Sequence, residues 1–419
     1  MRTYESPYAI SVILAICIVG AQLIMGCQGD ETVPDASFPD ASLTVLSESA
    51  PVFELEQDVA FGLSGGVEDA LARPRYAGID EEGYVYIHDF VRQGVTELKR
   101  FKPTGEFDRL VLRGGEGPFG WIQMEYPTNL FGIWVENSAS IIVWNRLASE
   151  ILVFDMHGEM ITRSSWAHVA EDFELLSPVG RYKGDFLGYG LRTEPAGGSR
   201  PAQFAAYLRI RGDGAVVDTI WSNRRPADWM EITDGRVRAR PSVSALPLPP
   251  VHSRPFGNGT LLEVQAPEPL YQESGVLTLI QLDGSVERRR RVLSYEAIPI
   301  PVREVKNRML DPYRAQFSGQ ALRTLEGNIR VPQFAAPVLY FLPCPDGSVW
   351  IRLAPTSESL FSPGNTEDFL VIDMADHGMA YRVSVPGHRF LTVDRESKVW
   401  MTMETDLGEP YVASFALKR

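Results

Sequence analysis

Apolar and polar residues alternate with a period of two along most of this chain, and the alternating runs recur as a two-part phrase. Its first part is a turn followed by a strand: EEGYVYIHD at 81–89, ENSASIIVWN at 136–145, PDGSVWIRL at 345–353 and RESKVWMTM at 395–403. Its second part is a strand running into another turn: ELKRFKPTGEF at 97–107, EILVFDMHGEM at 150–160, LTLIQLDGSVE at 277–287 and FLVIDMADHGMA at 369–380. A period of two predicts strands, and Asp-Gly pairs predict tight hairpins because their backbones tolerate positive φ. A unit repeated on this scale is one supersecondary element copied around an array.

Each unit parses as four antiparallel strands. Inner strands fall near 75, 130, 178, 253, 338 and 388. The expected fold is therefore all-β: a six-bladed β-propeller of four-stranded antiparallel blades. The last unit stops after its third strand, at Ser414–Leu417, and its missing outer strand is expected at Val52–Ala60. Closure of this kind removes an exposed sheet edge. One stretch breaks the period. Val302, Val305, Met309, Tyr313 and Phe317 recur at three- to four-residue spacing, predicting a short helical insert at about 300–326 between blades 4 and 5. Pro312 should kink or split it. It would serve either as a lid over the loops or as a helix packed on a blade.

The N-terminus follows another pattern. Ala9–Ile24 is almost wholly apolar after Arg2, and the run ends Leu23-Ile24-Met25-Gly26-Cys27. This is the order of a secretory signal, with 1–26 removed. The small residue before a cysteine resembles the lipobox of bacterial lipoproteins, which implies Cys27 as the lipid attachment site. An uncleaved spanning helix is the competing reading. Residues 27–50 are poor in aromatics and rich in Asp, Ser, Pro and Glu, and read as a flexible tether of roughly 25–30 Å. The fold then occupies 51–419. Gln28 after the cysteine favours the outer over the inner membrane. Export accords with the cysteines: beyond Cys17 and Cys27 only Cys344 remains, in an apolar strand, where a buried inert thiol is expected.

The phrase DEEGYVYIHD, then LKRFKPTGEF, then Arg113-Gly114-Gly115-Glu116-Gly117-Pro118-Phe119 resembles bacterial six-bladed propellers related to NHL-repeat and TolB-like proteins, many of them lipoproteins. The resemblance spans about 50–419. It implies the fold and an interaction platform, and no particular activity. In that family the second strand ends in an Asp that ties down the next loop. Asp89 and Asn145 fit this pattern, whereas Arg192, Gln265 and Arg352 stand near the later equivalents, so those loops are expected to be held differently.

Charge and loop length narrow the function. The formal net charge of −14 disfavours nucleic acid and anionic membrane surfaces as partners. The turns within each unit are short. The links from second to third strand, and those at 222–255 and 293–336, are long and share the opposite face, where binding is expected. Candidate ligand residues there are Arg113, Glu116 and Trp121 after the first blade, and Arg236, Arg238, Arg240 and Arg254 in a locally basic stretch suited to carboxylate or phosphate. The run Arg288–Arg291 reads as an outer-strand charge cluster with alternate residues in solvent. No HxxxH spacing occurs, so no metal or cofactor is predicted.

The leading expectation is a monomeric, lipid-anchored binding or scaffold module on the periplasmic side, recognising a protein or small anionic ligand. One alternative is a metal-dependent hydrolase or lyase of the lactonase type. It would gather Glu116, Asp185 or Asp394 around a metal at the channel mouth, with calcium possible. The other is a sugar or peptidoglycan receptor, which requires exposed aromatics such as Trp121, Trp229 or Tyr271.

Overall fold

Strands fill the regions where alternation is clearest, and most are hydrogen-bonded to a strand adjacent in sequence. The computed structural model describes residues 43–45 and 50–418, apart from 64–65, 93–94, 115–130, 137–139, 146–147, 195–200, 228, 235–236, 240, 243–253, 257–258, 266–272, 355, 357, 360–365, 376–379, 387–389 and 395. The protein is all-β, built from four-stranded antiparallel meanders. The first runs from Pro74–Ile79 through Val85–Arg92 and Val95–Phe101 to Phe107–Gly114. The second spans 131–165 and the third 175–226. The fourth, 254–296, lies in a sheet with a fifth strand, Leu43–Val45, at its outer edge. The fifth, 338–386, shares an eight-stranded sheet with the sixth. The sixth takes three strands from 390–418, and its outer strand is Val52–Phe61, antiparallel to Pro410–Lys418.

The second strand of each meander is buried on both sides, and alternate residues serve different neighbours. Val85 and Ile87 join Phe61, Trp400 and Val412 of the sixth meander, while Tyr86 faces Ile141 and Val143 of the second. Ile142 and Trp144 turn the other way, towards Leu176 and Phe186 of the third. Leu187 then meets Leu261 of the fourth, Leu262 meets Ile351 of the fifth, and Trp350 meets Met401 of the sixth. Every principal core is thus shared between successive meanders, and the last with the first. That cyclic sharing is the arrangement of a β-propeller, and it explains why these strands carry apolar runs such as IIVW at 141–144.

The recurring glycine turns interlock the meanders. Gly105, Gly158 and Gly214 sit between third and fourth strands with φ of +91°, +89° and +86°. A Cβ on Gly158 would lie 2.5 Å from the Val111 carbonyl oxygen of the preceding meander, and one on Gly214 would lie 2.6 Å from that of Ser165. Gly105 stands equally close against Ala60. Both the backbone conformation and the neighbour's main chain therefore demand glycine. Arginines fasten the same seams. Arg109 donates to the Met156 carbonyl at 2.9 Å, and Arg291 to those of Met374 (3.0 Å) and Asp373 (3.3 Å). Arg291 is only 2% exposed. It acts as an inter-meander clamp, while Arg288 and Arg290 face solvent and pair with Asp283 and Glu287.

Two further details correct sequence expectations. Asp89 anchors the chain before its meander: its carboxylate accepts from the amides of Ala72 (3.0 and 3.1 Å) and Arg73 (2.8 Å). In the sixth meander Asp394 ties the first turn, accepting from the Glu396 and Lys398 amides and from Trp400 Nε1 at 2.9 Å. Asp80 does the same with Tyr86. Cys344 stands in that slot in the fifth meander, fully buried, and burial holds its thiol well above the ordinary value, with Asp346 adding to the shift.

Candidate functional site

The end of the meanders opposite the glycine turns carries the long connections, and three constructions stand there. The first is the segment 62–73, which leads from the strand Val52–Phe61 into the first meander. Leu71 plugs it into the core shared with the sixth. Buried charges tie it down. Lys99 Nζ donates to the Ala70 carbonyl at 2.6 Å and lies 3.3 Å from Glu97 and 3.8 Å from Asp89. The second oxygen of Glu97 meets Arg113 at 3.1 Å. Asp89 and Lys99 are 0% and 3% exposed, so each charge is sustained only by its partners and by the peptide dipoles around it. Burial pushes the Asp89 carboxyl upward, against the opposing pull of the Arg73 and Ala72 amides and of Lys99. Beside it His88 Nε2 contacts Thr96 Oγ1, and its ring lies 4.3 Å from that of Phe90, over which Arg75 is placed at 5.0 Å. Burial first, then Arg75, lower the His88 pKa to about 3, so the imidazole is neutral. With its cations and carboxylates matched, the cluster holds chain in place. Arg113, a predicted ligand residue, is its half-exposed outer member.

The second construction joins the two longest connections, 222–255 and 293–336. Pro312 does split the helical insert: Val302–Leu310 is followed by a 3-10 turn at Asp311–Tyr313 and a second helix, Gly319–Asn328, capped by Ser318. Among the described residues the helices pack on two short ribbons outside the meanders. Leu310, Phe317, Leu325 and Ile329 bury themselves against Met230 and Ile232, on and beside the hairpin Ile232–Asp234/Val237–Ala239. Asp234 also accepts from the Ser318 amide. A short ribbon, Ile298–Pro299 paired with Phe334–Ala335, roots the module between the fourth and fifth meanders, with Ile300 and Val305 packed on Ala335. Arg238 lies in this hairpin and Trp229 in a bridge to Ser242 beside it. Arg254 begins the inner strand of the fourth meander.

The third construction is a set of arginine–glutamate pairs at strand ends. Glu194 receives Arg192 (3.0 Å) and Arg224 (2.8 Å), and Arg192 lies 4.5 Å from the ring centre of Phe204. Arg352 meets Glu367 at 2.9 Å. Arg192 and Arg352 stand where the aspartate pattern lapses; the first pairs with a glutamate of its own strand and the second with one on the neighbouring strand.

Cys27, Glu116, Trp121, Arg236, Arg240 and Tyr271 lie outside the described residues. Asp185 and Asp394, candidates for a metal at the channel mouth, stand at first-to-second strand turns, the opposite end. Asp185 is engaged by Arg209 at 2.7 Å. Among the described residues no three His, Cys, Asp or Glu side chains converge as metal ligands. Sequence reasoning missed Glu97 and Lys99. Their signal was two charges at i and i+2 in a strand otherwise suited to the core, ELKRF.

No family model matches the chain, and no curated protein matches it. Solved structures give distant likenesses. A member of the DUF4221 family from Bacteroides vulgatus has a TM-score of 0.39 at 12% identity, covering 88% of this chain and 99% of its own. The calcium-binding protein regucalcin from Agrobacterium tumefaciens has 0.30 at 8%, covering 88% and 97%. A puromycin-hydrolyzing peptidase from Mycobacterium tuberculosis has 0.28 at 10%, covering 86% and 47%. At these scores no residue role or activity is carried across.

Proposed function

We propose that the chain is a six-bladed β-propeller, exported and lipid-anchored through Cys27, that works as a binding or scaffold module through the face bearing the long connections. The observation that carries this reading is the helix–hairpin module. Two insertions far apart in sequence share a core separate from those of the sheets. An independent small core raised from a rigid scaffold is what a recognition element requires. Its charge points to the ligand. Residues 229–242 and 300–332 hold nine Lys and Arg against five Asp and Glu, a net +4 in a chain of −14. Arg303, Arg323 and Arg330 are exposed, and among the described residues none has a carboxylate in ion-pair range. A partner presenting carboxylates or phosphates fits such a surface.

The test is crosslinking in intact cells followed by capture, comparing wild type with Arg236→Ala/Arg238→Ala/Arg240→Ala and with Arg303→Ala/Arg323→Ala. Loss of the same partner from both variants supports the module. Equal recovery from all three proteins sinks it. Metabolic labelling with a fatty-acid analogue, abolished by Cys27→Ser, tests the anchor separately.

A further inference from the structure

The N-terminal segment reaches its place in the sixth meander by way of two other sheet edges. Leu43–Val45 runs parallel to the outer strand of the fourth meander, with Leu43 opposite Val292, Thr44 opposite Leu293 and Val45 opposite Ser294. Ala50 packs against the core shared by the fourth and fifth meanders. The Pro51 carbonyl accepts from the Arg382 amide at 2.8 Å. Val52 and Phe53 then pair in parallel with Arg382 and Val383 on the outer strand of the fifth, and the Phe53 ring meets Tyr381 edge-on at 4.9 Å. From Glu54 the same strand completes the sixth meander. Leu43–Val45 and residues 50–61 thus engage three successive outer edges. Outer edges present unpaired N–H and C=O groups, and strand addition satisfies them while fixing direction and register.

We propose that Leu43–Val45 and residues 50–53 act as a strap that fixes where the N-terminal segment leaves the body: on the side wall at the fourth meander, not beneath the sixth. The rest of the fold gives this site its meaning. The helix–hairpin module rises from the connections on either side of the fourth meander, so strap and module share one flank. Val45 lies beside Ser294, near the end of its strand that leads to the module, whereas Pro51 and Val52 lie beside Arg382, nearer the tight-turn end. The linker therefore does not simply enter from the tight-turn face, the arrangement that outer-strand closure alone implies. A second consequence rests on the proposed lipid at Cys27. Only residues 28–42 then separate the lipid from the strap, and the flank carrying the module is the part of the body held nearest the anchor.

The strap is tested by hydrogen exchange on the mature chain in detergent, comparing wild type with Thr44→Pro/Val45→Pro. The two adjacent prolines remove whichever amide faces the edge. Peptides covering Val292–Glu296 should exchange at least tenfold faster in the variant, with 274–283 unchanged. Identical exchange in both proteins, or unprotected amides at 43–45 in wild type, overturns the strap. The second consequence is read by energy transfer from dyes at Arg289→Cys (fourth meander) and Leu110→Cys (first meander) to acceptor lipids in vesicles. Transfer should be stronger from the fourth meander, and the prolines should reduce the difference. Equal transfer from both positions overturns flank placement. Failure of the protein to join vesicles at all removes the lipid anchor and leaves the exchange result to decide the strap.

Discussion

The two ends of the meanders are made by the same strands and are held in opposite ways. At the glycine-turn end the seams close by repetition: a glycine against a neighbour's carbonyl, an arginine on the next turn, in one meander after another. At the other end the devices differ from place to place: buried charges under 62–73, salt bridges within the third and fifth meanders at Glu194 and Glu367, and a helix–hairpin module rooted between the fourth and fifth. Repeated contacts leave little room for variation, because each must satisfy both its own turn and its neighbour. Singular contacts carry no such double constraint, which is why the proposed recognition surface is assigned to that end.

The sharpest break at the variable end is Lys99→Met. It leaves Asp89 and Glu97 as buried carboxylates without their ammonium partner, at a cost of about 3–5 kcal/mol. Chemical denaturation measures this, and a cost below about 1 kcal/mol would mean that water already reaches the cluster. Gly105→Ala is the matching break at the repeated end. A left-handed backbone and contact with the Ala60 carbonyl should together cost about 2–4 kcal/mol. Both substitutions should lower the single transition of the sheets. Leu325→Ala sharpens the comparison by removing a fully buried side chain from the module alone, also at about 2–4 kcal/mol. Proteolysis within 300–332 should accelerate while the midpoint of the main transition stays put. Movement of that midpoint would mean that the module is part of the main core.

The same contrast sets what the sequence made legible. The repeated end was readable because its cause is local. Alternation names the strands, and a turn such as Thr104-Gly105 names a positive φ, although not the carbonyl that makes the glycine obligatory. The closing strand was readable for a related reason: Ser414–Leu417 lacked an outer neighbour and Val52–Ala60 had the right period. The variable end depends on contacts between distant segments. Nothing within 302–325 says that Leu325 will meet Met230, nor that Glu97 and Lys99 will face Asp89 beneath a segment 30 residues upstream. Charges in a strand pattern were the available clue, and they read equally well as an exposed face.

His88 gives the mildest probe of the variable end, because it changes no atom. Its imidazole is held neutral, with a pKa lowered from 6.5 to about 3 by burial and by Arg75. The unfolded chain takes up a proton below about pH 6.5, whereas the folded chain does not until about pH 3. Stability from this group is therefore complete above pH 6.5 and declines as pH falls, by about 1.4 kcal/mol per unit. His88→Gln keeps Asp89 and the other carboxylates, so the difference between the two stability–pH slopes isolates the imidazole. Denaturant midpoints from pH 7 to pH 5 should fall for wild type and stay flatter for the variant. Parallel slopes would mean that the histidine is solvated and that 62–73 does not seal the cluster beneath it, which would erase the main energetic distinction between this seam and its repeated counterpart.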